Sequence, residues 1–381
     1  MNQKVKPKSA SRRFAPAGVV FAVAGALLFA YFVWRAGPVE VWNNISKIGA
    51  GFLLILVLSG LRFVVRAYAW TLCFEAPNRL GLWHAFEAYL IGDTAGNIVP
   101  LGIVVSEPAK AALVRERVPL VAGLSAIAVE NLFYMLSVAL FIFSGAAALL
   151  LSFPLPKLLR WSSIGILAGV VSALLVGFVA ARRQWRFLSG TMERMAARGL
   201  GRRALTAKRE RAAALEDRIY GFYARNRPRF LPILALEASF HLLGVAEAYL
   251  TLHFISDVLA PTLLTAFLFE SVNRVITMVF KFVPLRAGVD ELGTGQLARV
   301  LRFGEAAGVT LAVVRKARML FWMAAGVGLV VRRGLSLGAV TNEAEQAQKE
   351  AAADRSPQDA SNVAEHSHDS TRAKEQGLVK G

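Results

Sequence analysis

Six stretches of this chain are too long and too apolar for a soluble core: residues 14–34, 48–74, 118–153, 161–181, 230–254 and 308–331. The first, 14–34, contains no charged side chain. A helix that crosses a bilayer needs about 20 such residues, because the hydrocarbon layer is about 30 Å thick. Composition agrees: 55% of the 381 residues are hydrophobic and the mean hydropathy is +0.48, beyond what a soluble domain of this length carries. Residues 1–13 hold Lys4, Lys6, Lys8, Arg12 and Arg13 and no acid. That basic start resembles a signal peptide. The apolar run is too long for one, however, and no Ala-x-Ala site follows, so it reads as a retained span with its N-terminus inside.

Two further apolar stretches are broken rather than continuous. The first carries Asn97, Pro100, Gly102, Glu107 and Lys110, and the second carries Pro284, Gly288, Asp290 and Glu291. Both contain Pro-Leu, five residues, then Glu, and both are led in by an acid, Glu87 and Glu270. Proline and glycine break each helix, and Ser106-Glu107-Pro108 reads as the cap and first turn of a new one. Each stretch is therefore expected to be a re-entrant helical hairpin.

Charge fixes the orientation. The insertion 182–229 has 14 Lys/Arg and 4 Asp/Glu, so 14 − 4 = +10 net. Its Leu215, Ile219, Phe222 and Tyr223 recur at helical spacing, as in an amphipathic surface helix. With 1–13, 182–229 and Arg332/Arg333 in the cytoplasm, the two hairpins must enter from opposite faces. The units 48–153 and 230–331 then form an inverted-topology repeat, the arrangement of transporters with a midplane site. The expected fold is an all-α polytopic membrane protein with six spanning helices and two re-entrant hairpins. A membrane domain at 14–333 is followed by a disordered polar tail at 334–381.

Several charges fall inside apolar stretches, where they are costly and face a partner or a cavity. Arg62 and Arg66 are spaced i,i+4; Arg62 is deep, whereas Arg66 is within snorkelling reach of the interface. Glu130 lies in the next long span. Glu237 and His241 are spaced to satisfy each other, and Glu270 and Arg274 to form an internal salt bridge. Arg315, Lys316 and Arg318 follow in the last span.

The lone Cys73 excludes a disulfide framework and a cysteine-rich metal site. No metal or cofactor site is expected. There is no P-loop for direct ATP coupling, and no DxD or DDxxD pattern. The formal charge of +18 is assigned to cytoplasmic loops facing anionic lipid rather than to nucleic acid.

The block 92–133, GDTAGNIVPLGIVVSEPAKAALVRERVPLVAGLSAIAVENLF, resembles the hallmark of the lysylphosphatidylglycerol synthase transmembrane-region family. In that family a Pro/Gly break precedes a Glu-led helix, and a later helix carries a Glu-Arg-like pair; Glu130-Asn131 stands in that place here. The second hallmark, a Pro-Gly-Gly-x-Gly-x-x-Glu break, corresponds to Pro284-Leu-Arg-Ala-Gly288-Val-Asp-Glu291, with one glycine kept. The resemblance spans roughly 14–333. It implies a multi-pass, flippase-like protein of the bacterial inner membrane, and the charge pattern puts both termini in the cytoplasm. No aminoacyl-transfer domain follows the membrane part, so aminoacyl transfer is not expected. Stand-alone members in hopanoid-producing bacteria are one subgroup it could join.

Three functions stay open at this stage. One is translocation of an anionic phospholipid, glycolipid or hopanoid-related lipid. Arg62, Arg66, Lys110, Arg274, Lys281, Arg286 and Arg315 would then meet a headgroup phosphate, and Glu107 and Glu291 would pair with them and set the gate; Asn97, Pro100, Glu130 and Pro284 complete the candidate translocation residues. The second is a scaffold for a lipid-modifying enzyme, and the third an integral membrane transferase.

Overall fold

A computed structural model describes residues 27–98, 103–183, 190, 221–222, 224–256, 259–280, 283–334 and 337–353, and all of their regular structure is helical. In chain order the helices are α1 (Leu27–Ala36), α2 (Pro38–Ile48), α3 (Gly51–Leu72), α4 (Leu82–Ile98), α5 (Ile103–Leu113), α6 (Leu120–Ser152), α7 (Lys157–Arg182), α8 (Arg227–Ile255), α9 (Leu263–Val279), α10 (Val289–Val300), α11 (Glu305–Arg332) and α12 (Leu337–Ala353). Pro100, Lys281 and most of the insertion 182–229 lie outside the described residues. The chain divides into two compact units. One comprises Met1–Leu56 with Val245–Met319, the other Val57–Gly244 with Leu320–Gly381.

Among the described residues, four helices are long and apolar enough to cross a membrane: α3, α6, α7 through Ala180, and α8. The expected span 14–34 begins outside the described residues, and its visible part is the short apolar α1. α11 has a span's length, but Arg315, Lys316 and Arg318 within it hold its hydropathy down.

In the second unit, the part of α3 from Val57 onward shows why charges are tolerated. Ser59, Arg62, Arg66 and Trp70 are buried, while Val57, Leu61 and Tyr68 face outward. These positions sit on opposite stripes of a 3.6-residue helix. The charged stripe points inward and the apolar stripe outward, the reverse of a water-soluble helix. α7 is apolar and almost wholly exposed, with Leu175, Val176 and Phe178 on its surface, as a lipid-facing helix would be.

α4 and α5 pack against each other as a helical hairpin. At Gly92 a β-carbon would overlap the Lys110 side chain, so glycine is what lets α5 approach this closely. The restart of the helix differs from the sequence expectation. α5 begins at Ile103, which places Ser106 and Glu107 inside it rather than at its cap, with Pro108 in its interior. Four residues fewer separate the break from the restart, and the amide that Pro108 lacks would have bonded within α5.

The polar tail also differs from expectation. Residues 337–353 form α12, which packs on α4, α5 and α6. Val340 and Ala344 are buried with Ile91, Ala95 and Ala109. Few apolar residues suffice because alanines and one valine recur on a single face. A truncation after Gly334 is expected to lower the thermal unfolding midpoint in detergent, because it uncovers the back of the α4–α5 hairpin. An unchanged midpoint would return this segment to the status of a passive tail.

In the first unit, α9 and α10 form a second packed hairpin. Thr262 caps α9, its hydroxyl accepting from the Thr265 amide at 3.1 Å. A single 3₁₀ turn, Pro284–Arg286, leads into α10. Leu285 and Arg286 have φ of 53° and 48°, and Gly288 has φ 81°. A β-carbon on Gly288 would run into Leu28 of α1. The one glycine kept in this break is therefore the one where both the left-handed conformation and the close approach require it.

α4 and α9 have 17 residues each. At roughly 1.5 Å per residue they are about 25 Å long, short of the hydrocarbon thickness. α5 and α10 are shorter still, with 11 and 12 residues.

Candidate functional site

Each unit buries its own cluster of charged side chains. In the second unit the centre is Arg66 on α3. Its Nε and Nη2 both donate to Glu130 Oε1 on α6, at 2.8 and 2.6 Å. The same Nε lies 3.6 Å from Glu237 Oε2 on α8. Its guanidinium lies over three rings, 3.8 Å from the centroid of Tyr134, 5.3 Å from Tyr89 and 5.6 Å from Phe240. Arg66 therefore does not snorkel; it is held at depth by two acids and three aromatic faces.

Arg62, one turn earlier, is buried with its guanidinium 4.3 Å from the Phe240 centroid. On α5, Lys110 is buried, 3.0 Å from Glu107 Oε1 and 3.8 Å from the Tyr89 centroid. Asn131 stands beside the Glu107 carboxylate. Arg62, Arg66, Glu107, Lys110 and Glu130, all singled out in the sequence, thus belong to one cluster with Glu237. Their formal charges cancel, three positive against three negative.

One pairing differs from the expectation from spacing. Glu237 and His241 do not satisfy each other. Glu237 turns to Arg66, while His241 Nε2 meets Ser137 Oγ at 3.1 Å and its ring stacks on Phe141 at 4.7 Å. An i,i+4 spacing permits a contact, but a charged neighbour on another helix outcompeted the imidazole. Asn97 is held locally. Its amide donates back to the Asp93 carbonyl and carboxylate, at 2.9 and 3.0 Å.

Acids at the margins of this unit anchor its ends. Glu87 takes a bidentate pair of hydrogen bonds from Arg333, at 2.9 and 2.7 Å. Glu75 takes a similar pair from Arg225, at 3.0 and 3.1 Å.

In the first unit the basic run of α11 does the joining. Successive residues of a helix point about 100° apart, so Arg315, Lys316 and Arg318 reach three different elements. Arg315 donates to Glu270 Oε2 on α9 at 3.1 Å. Lys316 donates to Glu291 Oε1 at 2.6 Å and to Asp290 Oδ2 at 3.3 Å, both on α10. Arg318 pairs with Glu247 on α8.

Arg274 pairs with Glu270, the internal salt bridge expected from their spacing. Arg274 and Arg315 therefore share one carboxylate, and the buried Nη1 of Arg315 has no hydrogen-bond partner. Arg286 reaches Asp290 at 3.3 Å. Glu291 also accepts from the Gly288 amide at 2.7 Å, so it ties the helix restart to Lys316.

Sequence reasoning did not include Lys316, Asp290, Glu237 or Tyr89 among the site residues. Lys316 was visible as the neighbour of Arg315, and Glu237 as a charge inside a span. Nothing in the spacing of Tyr89 set it apart from a core aromatic.

The model of a protein family described as Lysylphosphatidylglycerol synthase TM region matches residues 17–328 of this chain. No curated protein and no solved structure matches the chain at a significant level.

Proposed function

The chain belongs to the lysylphosphatidylglycerol synthase TM-region family, and from that premise we propose that it is a lipid translocator of the bacterial inner membrane. It moves a lipid with an anionic or polar headgroup from one leaflet to the other. The carrying observation is a buried guanidinium donor in the first unit. Arg315 Nη2 donates to Glu270 Oε2, and Arg315 Nη1 is left buried without a hydrogen-bond partner. A headgroup phosphate is the ligand that completes such an arrangement, because guanidinium forks match phosphate oxygens.

The topology we propose has six spans, cytoplasmic termini and two re-entrant hairpins, α4–α5 and α9–α10, arranged as an inverted repeat. What supports it is the order of helix lengths: long, 17, 11, long from α3 to α6, and long, 17, 12, long from α8 to α11. Short paired helices with a broken connection suit a bilayer only where protein or a wet cavity satisfies the freed backbone. Both pairs carry buried charges of the kind that mark a pathway.

Reconstitution into liposomes with fluorescent lipids tests the reading. Wild-type protein is expected to move anionic lipid between leaflets. Arg315→Gln is expected to reduce the rate by at least tenfold, the loss of one charge-assisted contact of about 1.5–3 kcal/mol. A modified lipid product would instead favour a transferase, and neither transport nor product would favour a scaffold.

A further inference from the structure

The acid pair Glu130 and Glu237 has no role in recognising a phosphate, yet it lies at the heart of the second unit. Both side chains are fully buried. Both approach one nitrogen, Arg66 Nε, to within 3.6 Å. Of their four oxygens, only Glu130 Oε1 accepts a hydrogen bond; Glu130 Oε2 and both oxygens of Glu237 have no hydrogen-bond partner. An ionised carboxylate can only accept. Two ionised carboxylates around this one guanidinium would leave three buried acceptors without a hydrogen bond and two like charges sharing one cation, each costly at depth. One hydrogen placed on Glu237 removes one of the two like charges and supplies a donor where the pair has none, while Arg66 neutralises Glu130.

We propose that Glu130 and Glu237 form a proton-binding site that couples lipid movement to the proton gradient. The ligand is a single proton, taken up from and released to water as the site changes its access. The groups that face the pair act in consistent ways. Arg62 and Arg66 from α3 and Lys110 from α5 supply positive charge, and Glu107 on α5 is held by Lys110. Tyr89 from α4 and Tyr134 from α6 present ring faces to the cations. His241 on α8 is engaged by Ser137, and Cys73 beyond α3 is buried nearby.

Loading the proton takes this cluster from formally neutral to +1. Carrying one proton with one singly anionic headgroup is electroneutral, so the membrane potential does not oppose the loaded step. The coupling, though not the site, rests on the translocator reading.

Infrared difference spectroscopy of purified wild-type protein in nanodiscs tests the site. A protonated carboxyl band is expected near neutral pH, shifted in D₂O and lost in both Glu237→Gln and Glu130→Gln. If one variant does not fold, the other makes the assignment. The absence of the band from wild type, or its survival in a folded variant, overturns the proposal. Proteoliposomes with an imposed gradient test the coupling. One pH unit should bias the leaflet distribution of anionic lipid by up to about tenfold, the ratio that 2.303RT per proton allows. Transport indifferent to the gradient overturns the coupling. A protonated band without any transport leaves the site standing and sinks the translocator reading instead.

Discussion

Replacing Arg66 with leucine is expected to cost about 3–5 kcal/mol of stability, the range for removing one partner of a buried ion pair. The variant leaves Glu130 and Glu237 buried without the cation that both approach. It also empties the space among Tyr89, Tyr134 and Phe240 that the guanidinium fills. Chemical unfolding in detergent micelles measures the loss. The comparison that separates charge from packing is the triple variant Arg66→Met, Glu130→Leu, Glu237→Leu, which removes the whole network. Apolar replacement of an entire buried network is commonly neutral or better, so the triple variant should recover most of what the single one loses. A single variant as stable as wild type would mean that water reaches the two carboxylates.

Arg66 also shows how far the sequence could be read. Charges inside apolar stretches were visible, and so was the need for partners. Which partner was not. Arg66 within reach of the interface looked as suited to snorkelling as to burial, because hydropathy counts depth along one helix and ignores its neighbours. The acids that hold it come from α6 and α8, 64 and 171 residues away (130 − 66 and 237 − 66). The local pair Glu270–Arg274 was legible because both members lie on one helix. The pair Glu237–His241 had the same spacing and failed, since spacing says what can touch and not what competes for the contact.

The helix restarts show a similar limit. The break before α10 is legible because a glycine, a proline and two acids mark it together. The restart of α5 at Ile103 comes earlier than Pro108 suggests, so the proline sits inside the helix and one helix hydrogen bond is forgone there. α12 was hidden by composition. A sequence rich in alanine, glutamate and glutamine reads as solvated, but a single stripe formed by Val340, Ala344 and Ala347 is enough to dock it on a hairpin already present.

Lys316→Met is expected to be the most damaging change in the first unit, again about 3–5 kcal/mol. Lys316 lies against two buried acids, donating to Glu291 at 2.6 Å and Asp290 at 3.3 Å. Without it, Arg286 remains near Asp290, and Glu291 keeps only the Gly288 amide. That amide belongs to the left-handed break that starts α10, so loss of the lysine should loosen the break as well as destabilise the unit. The two effects can be told apart. Adding Glu291→Gln to Lys316→Met removes the unpaired charge but keeps an oxygen that can accept from Gly288. This double variant should regain roughly half of the loss. Glu291→Leu in the same background removes the cap too and should regain less, by about 1 kcal/mol, the worth of a helix-end hydrogen bond. Hydrogen exchange at the α10 start should follow the same order, slowest in wild type and fastest in Lys316→Met. Equal recovery by glutamine and leucine would show that Glu291 serves Lys316 alone and that the break is held by Gly288 and its contact with Leu28.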